Sequence, residues 1–375
     1  MRIALIIPSF LPATGGAEFV VHNLALEWGK QGHQVCVFNW LTADVTHPEA
    51  NYAVSRFKLL RGAPRFGYHR FPWSGYTKRD IRKQLNVFGP DCISAHMAYP
   101  TGYYLEGLMP GCPHVITCHG GDLTKFDWGF RKKYPIDSIL RTALENCQGA
   151  IAISSFARNL MEELGVSPDR ICDIPNGVDL ERFRKVVDFD LKNHLGISQE
   201  KQIILSVGRE HPQKAYASGI RAFSEVAAVH PDAHYVLIGK GTSAHAKLCE
   251  ALKIVDRVTF CDGLYGEDLV GAYHQADVFF SPSIWEMMPL VVLEAMAAGR
   301  PAVVTNVSGS QDLVSSGDNG LVVEPGDIRG MAESLLSLLS SDGLRDSFSR
   351  AMLECSENYS WDRISRRYLE ACIGE

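Results

Sequence analysis

Several features that would place this chain in a special class are missing from its sequence. The ten cysteines form no C-x-x-C pair, which argues against a zinc knuckle, a redox motif or a secreted disulfide framework. No apolar stretch approaches the roughly 18 residues that a membrane span needs, and the first apolar run is too short for a signal peptide. We therefore expect a cytoplasmic protein.

The sequence also lacks an excess of basic charge. The formal net charge is −6, whereas nucleic-acid-binding proteins usually carry a basic excess, so a nucleic-acid partner is not expected. The dinucleotide fingerprint G-x-G-x-x-G is absent, because Gly239-Lys240-Gly241 lacks the third glycine. A nicotinamide-dependent enzyme therefore has no direct support.

What the sequence does contain is an alternation of short β-branched runs with amphipathic helical stretches. This alternation over 375 residues predicts two doubly wound α/β domains, each with a parallel sheet covered on both faces. The predicted strands are Ile3–Ile7, Gln34–Trp40, Cys92–Ala95, His114–Cys118 and Ala150–Ser154 in the first half, and Ile203–Val207, Tyr235–Ile238, Arg257–Phe260, Val278–Ser281, Ala302–Thr305 and Leu321–Val323 in the second.

The turn sequence Pro175-Asn176-Gly177 between the halves indicates a change of chain direction. We predict a first domain over residues 1–180 and a second over 181–359, with a linker near 177–200. The stretch from Trp361 to Cys372 has the pattern of an amphipathic helix. We expect this helix, within residues 360–375, to pack back on the first domain.

The most informative segment runs from Glu286 to Gly299 and carries glutamates at 286 and 294 around a predicted helix start. Pro289 suits the first helical turn, and the free N–H groups of a helix start suit a diphosphate. Eight residues on a helix separate two carboxylates by roughly 12 Å, less if Glu286 lies on the loop. The pair can bind hydroxyls at opposite ends of an elongated ligand. The plainer alternative is an exposed glutamate plus a capping one.

A second segment brings two cations to the carboxyl end of a predicted strand. Gly208 and Arg209 follow the strand directly, and Lys214 lies in the loop beyond it. Ligands of open α/β sheets bind at this edge, and a guanidinium with an ammonium can neutralise a diphosphate without a metal ion. Ordinary surface cations are the alternative.

The first half offers two further candidate sites. Gly15 and Gly16 lie between a strand and a helix, where backbone can approach a ligand closely, although a plain turn explains them equally well. His119 directly follows a predicted strand. No nearby spacing supplies further metal ligands, so no metal site is predicted, and a hydrogen-bonded structural histidine is the simpler alternative.

Taken in order along nearly the whole chain, these segments resemble glycosyltransferase family four, whose members have the GT-B fold of two Rossmann-like domains facing a central cleft and retain the donor's anomeric configuration. The resemblance implies catalytic or phosphate-contacting roles for His119, Glu286, Arg209 and Lys214. It implies a donor site formed by Gly15, Gly16, Gly208, Arg209, Lys214, Gly263, Leu264, Glu286, Met288, Pro289, Leu290, Val291 and Glu294. In such enzymes the residue matching Glu294 holds the donor ribose, and the leaving phosphate helps to take the acceptor proton.

The sequence departs from the family pattern at Met287, Met288 and Pro289, where many members have glycine, an aromatic residue and glycine. Pro289 has no N–H, so one backbone contact to the donor must be lost or moved. This departure leaves the identity of the donor sugar open.

The acceptor is expected on the first domain, at residues that include His96, Tyr99, Asp122, Trp128 and Arg131. Aromatic rings there could stack on sugar faces. The basic run near Arg131 could contact anionic lipid headgroups, although a solvated charge run explains it more simply. The acidic residues leave an amino-sugar or aminocyclitol acceptor open.

The predicted function is transfer of a hexose or N-acetylhexosamine from a nucleoside-diphosphate sugar, UDP-GlcNAc or UDP-Glc by family frequency. The acceptor would be a small molecule, a glycan or a lipid-linked hydroxyl, and no cofactor is expected. Two alternatives remain: a nucleotide-sugar epimerase of GT-B fold, and an inactive nucleotide-sugar-binding protein. Both a monomer and a homodimer, and peripheral membrane contact, stay open.

Overall fold

The computed structural model describes residues 1–12, 15–40, 50–58, 73–125, 130–133 and 135–374. The chain divides into two compact units. The first consists of Met1–Asn176 together with Trp361–Glu375, and the second of Gly177–Ser360. Each unit is built on one parallel sheet, as the alternation of strand and helix patterns predicts.

The sheet of the first unit has seven strands in the described residues, in the spatial order β3-β2-β1-β4-β5-β6-β7. The strands are β1 (Arg2–Ile6), β2 (Gln34–Asn39), β3 (Ala53–Arg56), β4 (Cys92–His96), β5 (His114–Thr117), β6 (Gly149–Ala152) and β7 (Ile171–Asp173). Every residue of β4 is buried, because a parallel sheet is covered on both faces. The strand order reverses between β1 and β4, and ligands of such sheets bind outside the carboxyl ends of the strands at this point.

Six helices in the described part of this unit accompany the sheet before the chain leaves it. They are α1 (Gly16–Lys30), α2 (Trp73–Phe88), α3 (Tyr103–Leu105), α4 (Phe130–Lys133), α5 (Asp137–Glu145) and α6 (Ser155–Glu163). A turn of π-helix covers Ala98–Gly102, and a 3-10 turn covers Pro168–Arg170. The buried residues of α1 include Val20, Val21, Leu24 and Trp28, whose spacing of three to four residues places them on one face of the helix.

The sheet of the second unit has six parallel strands in the order β10-β9-β8-β11-β12-β13. The strands are β8 (Gln202–Val207), β9 (Ala233–Ile238), β10 (Val258–Cys261), β11 (Val278–Ser281), β12 (Ala302–Thr305) and β13 (Gly320–Val323). Here the order reverses between β8 and β11. The two loops that follow these strands therefore meet at the switch point of the sheet.

The helices of the second unit surround a core that includes Ile220, Phe223, Tyr235, Phe280 and Leu335. They are α7 (Leu180–Arg184), α8 (Leu191–Leu195), α9 (Tyr216–Val229), α10 (Ala246–Leu252), α11 (Gly266–Gln275), α12 (Leu290–Ala297), α13 (Ser308–Gln311), α14 (Ile328–Leu339) and α15 (Asp342–Ser356). Short 3-10 turns cover Pro212–Lys214, Thr242–His245, Val255–Arg257 and Glu357–Tyr359.

The last helix, α16 (Trp361–Ile373), is grouped with the first unit. The indole of Trp28 on α1 donates to the carbonyl of Ser365 at 3.0 Å. Thr117 at the end of β5 donates to the hydroxyl of Tyr368 at 3.3 Å. In the described residues, none of the helices has the length and apolar character that a membrane crossing requires.

Every predicted strand has a counterpart in the structure, but two strands were missed. Strand β3 is half exposed at one edge of its sheet, and β7 has only three residues at the other edge. Neither edge strand is long or apolar enough to stand out in the sequence. The predicted strand at 257–260 begins one residue later, because Arg257 lies in a 3-10 turn.

Candidate active site

The loop after β8 is held in place by two glycines. Gly208 has a φ of +149° and Gly239, after β9, a φ of +152°. A Cβ on Gly239 would lie 2.0 Å from the Gly208 carbonyl oxygen, so only glycine lets the two backbones approach this closely. The hydroxyl of Tyr216 donates to the same carbonyl at 2.9 Å. The loop that carries Arg209 is therefore fixed at the carboxyl edge of the sheet.

The two cations of this loop have different surroundings. Arg209 is exposed, and its guanidinium has no hydrogen bond or ion pair within the described residues. Lys214 is mostly buried, and its Nζ lies 2.8 Å from Oε1 of Glu286. Arg209 is available to an anionic ligand, whereas Lys214 is already paired with a carboxylate.

Glu286 lies on the loop after β11 rather than on the helix, and its carboxylate is held by three donors. Lys214 and the hydroxyl of Ser283 both donate to Oε1 at 2.8 Å, and the amide of Gln213 donates to Oε2 at 3.2 Å. The residue is 5% exposed. The loops after β8 and β11 thus meet at the switch point, where they fix one carboxylate in a defined orientation.

Helix α12 begins at Leu290, with Pro289 as the residue before it and without a side-chain cap. The N–H groups of Leu290 and Val291 have no carbonyl partner inside the helix, as at any helix start. Met287 and Met288 are buried beside this start. A Cβ on Gly309 would lie 2.0 Å from the Met287 carbonyl oxygen, so that glycine is needed for the loop's close packing, which the sequence did not reveal.

Glu294, one turn into α12, is surrounded by protein atoms at its carboxyl group although the residue keeps some exposure. The hydroxyl of Tyr273 on α11 donates to its Oε2 at 2.7 Å. Burial raises the pKa of Glu294 to about 7, while the Tyr273 hydrogen bond and the positive charges of Arg182 and Lys214 oppose the rise. The protonation of this carboxyl group therefore changes near neutral pH.

The loop after β10 contains the predicted donor-site residues Gly263 and Leu264. Leu264 is buried, and the ring of Tyr265 lies against Gly263, where a Cβ would meet its hydroxyl at 2.8 Å. Tyr265 itself is 75% exposed. Residues Tyr273, Ser283, Gln213 and Tyr265 all went unnoticed in the sequence, since single polar or aromatic residues outside a motif carry no signal there.

In the first unit, Gly15 is the residue before α1 and Gly16 its first residue. The carboxylate of Glu18 turns back toward this helix start and accepts a hydrogen bond from Ser9 at 2.5 Å. A Cβ on Gly15 would lie 2.4 Å from that carboxylate. Residues 13 and 14 lie outside the described part of the chain.

His96 ends β4, and His119 follows β5, the neighbouring strand. Nδ1 of His96 lies 2.9 Å from Nε2 of His119, and the rings stack with centroids 5.2 Å apart. Burial lowers the pKa of His119 to about 4 and the pKa of His96 well below its usual value. Both imidazoles are therefore neutral at neutral pH.

Asp122 is fully buried and fixes the backbone of the same loop. Its Oδ2 accepts from the amide of Ala98 at 2.7 Å, and its Oδ1 accepts from the amides of His119 and Gly120 at 3.2 and 3.1 Å. Burial raises the pKa of Asp122, against the effect of these hydrogen bonds. This carboxylate holds the loop rather than facing solvent.

The other predicted acceptor-side residues are less accessible than expected. Tyr99 and His96 are completely buried. The guanidinium of Arg131 makes two hydrogen bonds to Asp137, at 2.8 and 2.9 Å, and a third to the Leu123 carbonyl. Trp128 lies outside the described residues. In the part of the chain that the structure describes, no cluster of His, Cys, Asp or Glu side chains is arranged to hold a metal ion.

Two family models match adjoining parts of the chain and together cover most of it. The model described as glycosyltransferase family 4 matches residues 14–182, and the model of glycosyl transferases group 1 matches residues 188–353. A phosphatidyl-myo-inositol mannosyltransferase of Mycolicibacterium smegmatis is 27% identical over 98% of this chain and 92% of its own length. A D-inositol 3-phosphate glycosyltransferase of Rhodococcus jostii is 26% identical over 95% of this chain and 84% of its own length.

Solved structures share the architecture. Sucrose-phosphate synthase from Thermosynechococcus elongatus gives a TM-score of 0.83 at 22% identity, covering 98% of this chain and 97% of its own. The Anabaena protein HepE, in complex with UDP and glucose, gives 0.77 at 18% identity and covers both chains completely. The chain therefore belongs to the group 1 glycosyltransferases of family 4 and has the GT-B fold.

Proposed function

We propose that this glycosyltransferase moves a hexose or N-acetylhexosamine from a UDP-linked donor to a hydroxyl of a small-molecule, glycan or lipid-linked acceptor, with retention of configuration. The observation that carries the proposal is the paired set of Lys214 and Glu286 at the switch point of the second sheet. Glu294 lies one helical turn into α12, the helix that follows the loop of Glu286.

The diphosphate is assigned to the cations and to the helix start. The free guanidinium of Arg209 can make charge-assisted hydrogen bonds to phosphate oxygens, and the N–H groups of Leu290 and Val291 add two donors at the positive end of α12. Lys214 can share its three hydrogens between Glu286 and a phosphate. On this basis the leaving diphosphate needs no divalent metal ion.

The hydroxyl groups of the donor are assigned to the two glutamates. Glu294 would accept hydrogen bonds from the ribose diol, with Tyr273 fixing its other oxygen. Glu286 has acceptor capacity left after its three donors, and this capacity would bind hydroxyls of the transferred sugar. Met287 and Met288 add an apolar wall beside them.

No separate nucleophile is invoked for the retaining reaction. Glu286 is tied to Lys214 and two further donors, and Glu294 is hydrogen-bonded to Tyr273. We propose a front-face displacement, in which the acceptor attacks from the side of the leaving diphosphate and a phosphate oxygen takes the acceptor proton.

Relatives guide the choice of substrates for testing. HepE was solved with UDP and glucose, which supports a UDP-hexose donor. The relatives named as phosphatidyl-myo-inositol mannosyltransferase and D-inositol 3-phosphate glycosyltransferase make mannose donors and inositol-containing acceptors the competing candidates. A donor panel should therefore include UDP-, GDP-, ADP- and TDP-sugars.

The test combines thermal shift with product analysis. A selective ligand stabilises the folded chain by about 2.7 kcal/mol at a hundredfold excess over its Kd, so the correct nucleotide should raise Tm by several degrees. With the selected donor, acceptors are screened by mass spectrometry and the anomeric configuration of the product is read by NMR. Glu286→Gln should lower turnover, while Glu324→Gln, an exposed glutamate of the same unit, serves as the matched control.

Each result has a distinct meaning. A product with the donor's configuration supports the proposal, and an inverted product contradicts the mechanism. Conversion of the donor sugar without any acceptor would identify an epimerase. Stabilisation without turnover on every acceptor would identify a nucleotide-sugar-binding protein.

A further inference from the structure

Three polar side chains form a continuous hydrogen-bonded chain inside the first unit. Ser94 and His96 are two residues apart on β4 and therefore project on the same face of the strand. The Ser94 hydroxyl lies 3.2 Å from Nε2 of His96, and Nδ1 of His96 lies 2.9 Å from Nε2 of His119. Ser94 and His96 are buried, while His119 keeps partial exposure.

Because each neutral imidazole carries one N–H, the direction of one hydrogen bond fixes the direction of the other. If Ser94 donates to His96 Nε2, His96 must carry its proton on Nδ1 and donate to His119 Nε2. His119 then carries its own proton on Nδ1. In the reverse direction, His119 donates from Nε2, His96 donates to Ser94, and His119 Nδ1 is a bare acceptor.

The Ser94 hydroxyl decides between the two directions. In the reverse arrangement its hydrogen needs another acceptor, and within the described residues its oxygen has no other hydrogen-bond partner. A buried donor without an acceptor disfavours that arrangement by roughly ten- to a hundredfold. The arrangement in which Ser94 donates leaves no hydrogen of the chain unsatisfied inside the protein.

Surrounding groups hold the central ring in place without competing for its protons. The ring of Tyr368 stacks on His96 with centroids 6.3 Å apart, and its hydroxyl accepts from Thr117. The Asp122 carboxylate accepts from backbone amides, His119's own amide among them, rather than from either imidazole. No described residue hydrogen-bonds to Nδ1 of His119.

We propose that Ser94 and His96 are positioning residues that hold His119 with its proton on Nδ1, so that His119 donates a hydrogen bond to a substrate oxygen instead of acting as a general base. The hydrogen bond from His119 to a substrate oxygen rests on the proposed function. A donor role for His119 agrees with a reaction in which the leaving phosphate, not a histidine, takes the acceptor proton. A neutral donor also stabilises charge that develops on oxygen without any proton being transferred.

The tautomer can be measured without any activity. The chain is labelled with ¹⁵N-histidine, the His119 signals are assigned by their loss in His119→Gln, and two-bond couplings report which nitrogen carries the proton. We expect the Nδ1–H form in the natural chain. In Ser94→Ala the preference should disappear and the His119 signals should shift toward the Nε2–H form. Thr77→Val removes a buried hydroxyl from α2 of the same unit and should leave the signals unchanged.

Kinetics provide the second readout. Ser94→Ala should lower kcat about tenfold with little change in the KM of the donor, and Ser94→Thr, which keeps the hydroxyl, should restore most of the rate. If Ser94→Ala acted only by destabilising the fold, Thr77→Val would lower kcat to a similar extent. An Nε2–H tautomer at His119 in the natural chain, or an unchanged tautomer in Ser94→Ala, would overturn the proposal. If no donor is turned over, the proposed function fails, yet the tautomer result still decides the inference about His119.

Discussion

Replacing Glu294 with glutamine should change how stability depends on pH. Burial raises the pKa of Glu294 from 4.5 to about 7, so the folded chain binds a proton more tightly there than the unfolded chain does. Stability contributed by that proton is fully present below pH 4.5 and is lost as the pH rises through about 7. A shift of this size corresponds to about 3 kcal/mol. Because glutamine does not titrate, the Glu294→Gln variant should not lose this stability as the pH rises.

The assay compares the Tm of both chains from pH 4.5 to pH 8 by scanning calorimetry. The difference in unfolding free energy, variant minus natural chain, should rise by about 3 kcal/mol over this interval, or roughly 6–12 °C in Tm for a unit of this size. Glu333→Gln, at an exposed glutamate paired with Arg329, should track the natural chain at every pH. Parallel curves for Glu294→Gln and the natural chain would refute the argument that the protein desolvates this carboxyl group.

Three residues and one reagent give the remaining predictions. Tyr273→Phe removes a hydrogen bond that favours the ionised form of Glu294. The affinity for UDP, measured by calorimetry, should therefore fall about tenfold at pH 7 and largely recover at pH 9. An affinity that is unchanged at both pH values would show that Tyr273 does not act on the donor site. Arg209→Ala should raise the Kd of UDP roughly 10- to 100-fold through lost charge-assisted bonds, and a change below twofold would remove Arg209 from the diphosphate site. Gly239→Ala should cost more than about 2 kcal/mol in unfolding experiments, because its Cβ would overlap a carbonyl, whereas Gly317→Ala, at a positive φ with open space, should cost only about 1 kcal/mol. Turnover should persist in EDTA, and activity that returns only with magnesium would contradict the metal-independent diphosphate site.

Much of the fold follows from local patterns. Central strands such as β1 and β8 contain continuous apolar runs, because a parallel sheet buries both of their faces. Edge strands β3 and β7 lack this signal, since they are short and partly exposed. Helix α12 was predicted from its sequence, but its first residue is Leu290, which leaves Glu286 on the preceding loop.

The candidate site was only partly predictable, because its contacts join residues far apart in the chain. Lys214 and Glu286 were assigned separate tasks on the diphosphate and the sugar, yet the structure joins them in one ion pair. Tyr273 lies in a helix with no motif and reaches Glu294 from the side. Arg131 was expected on the acceptor side, but Asp137, six residues on, accepts hydrogen bonds from its Nε and from one of its terminal nitrogens.

The sequence by itself determined the class of the fold, the order of the motifs and the residue types gathered at the carboxyl ends of the strands, since these depend on hydrophobic period and on local turn chemistry. Only the tertiary structure decided which side chains are joined by hydrogen bonds or ion pairs. Ser94, His96 and His119 form one hydrogen-bonded chain only because β4 and β5 are neighbours in register, with His96 opposite Thr117. Burial around Glu294 likewise arises from tertiary packing, which also brings Tyr273 of α11 to its carboxylate, and it raises the pKa of Glu294 in a way that composition cannot reveal.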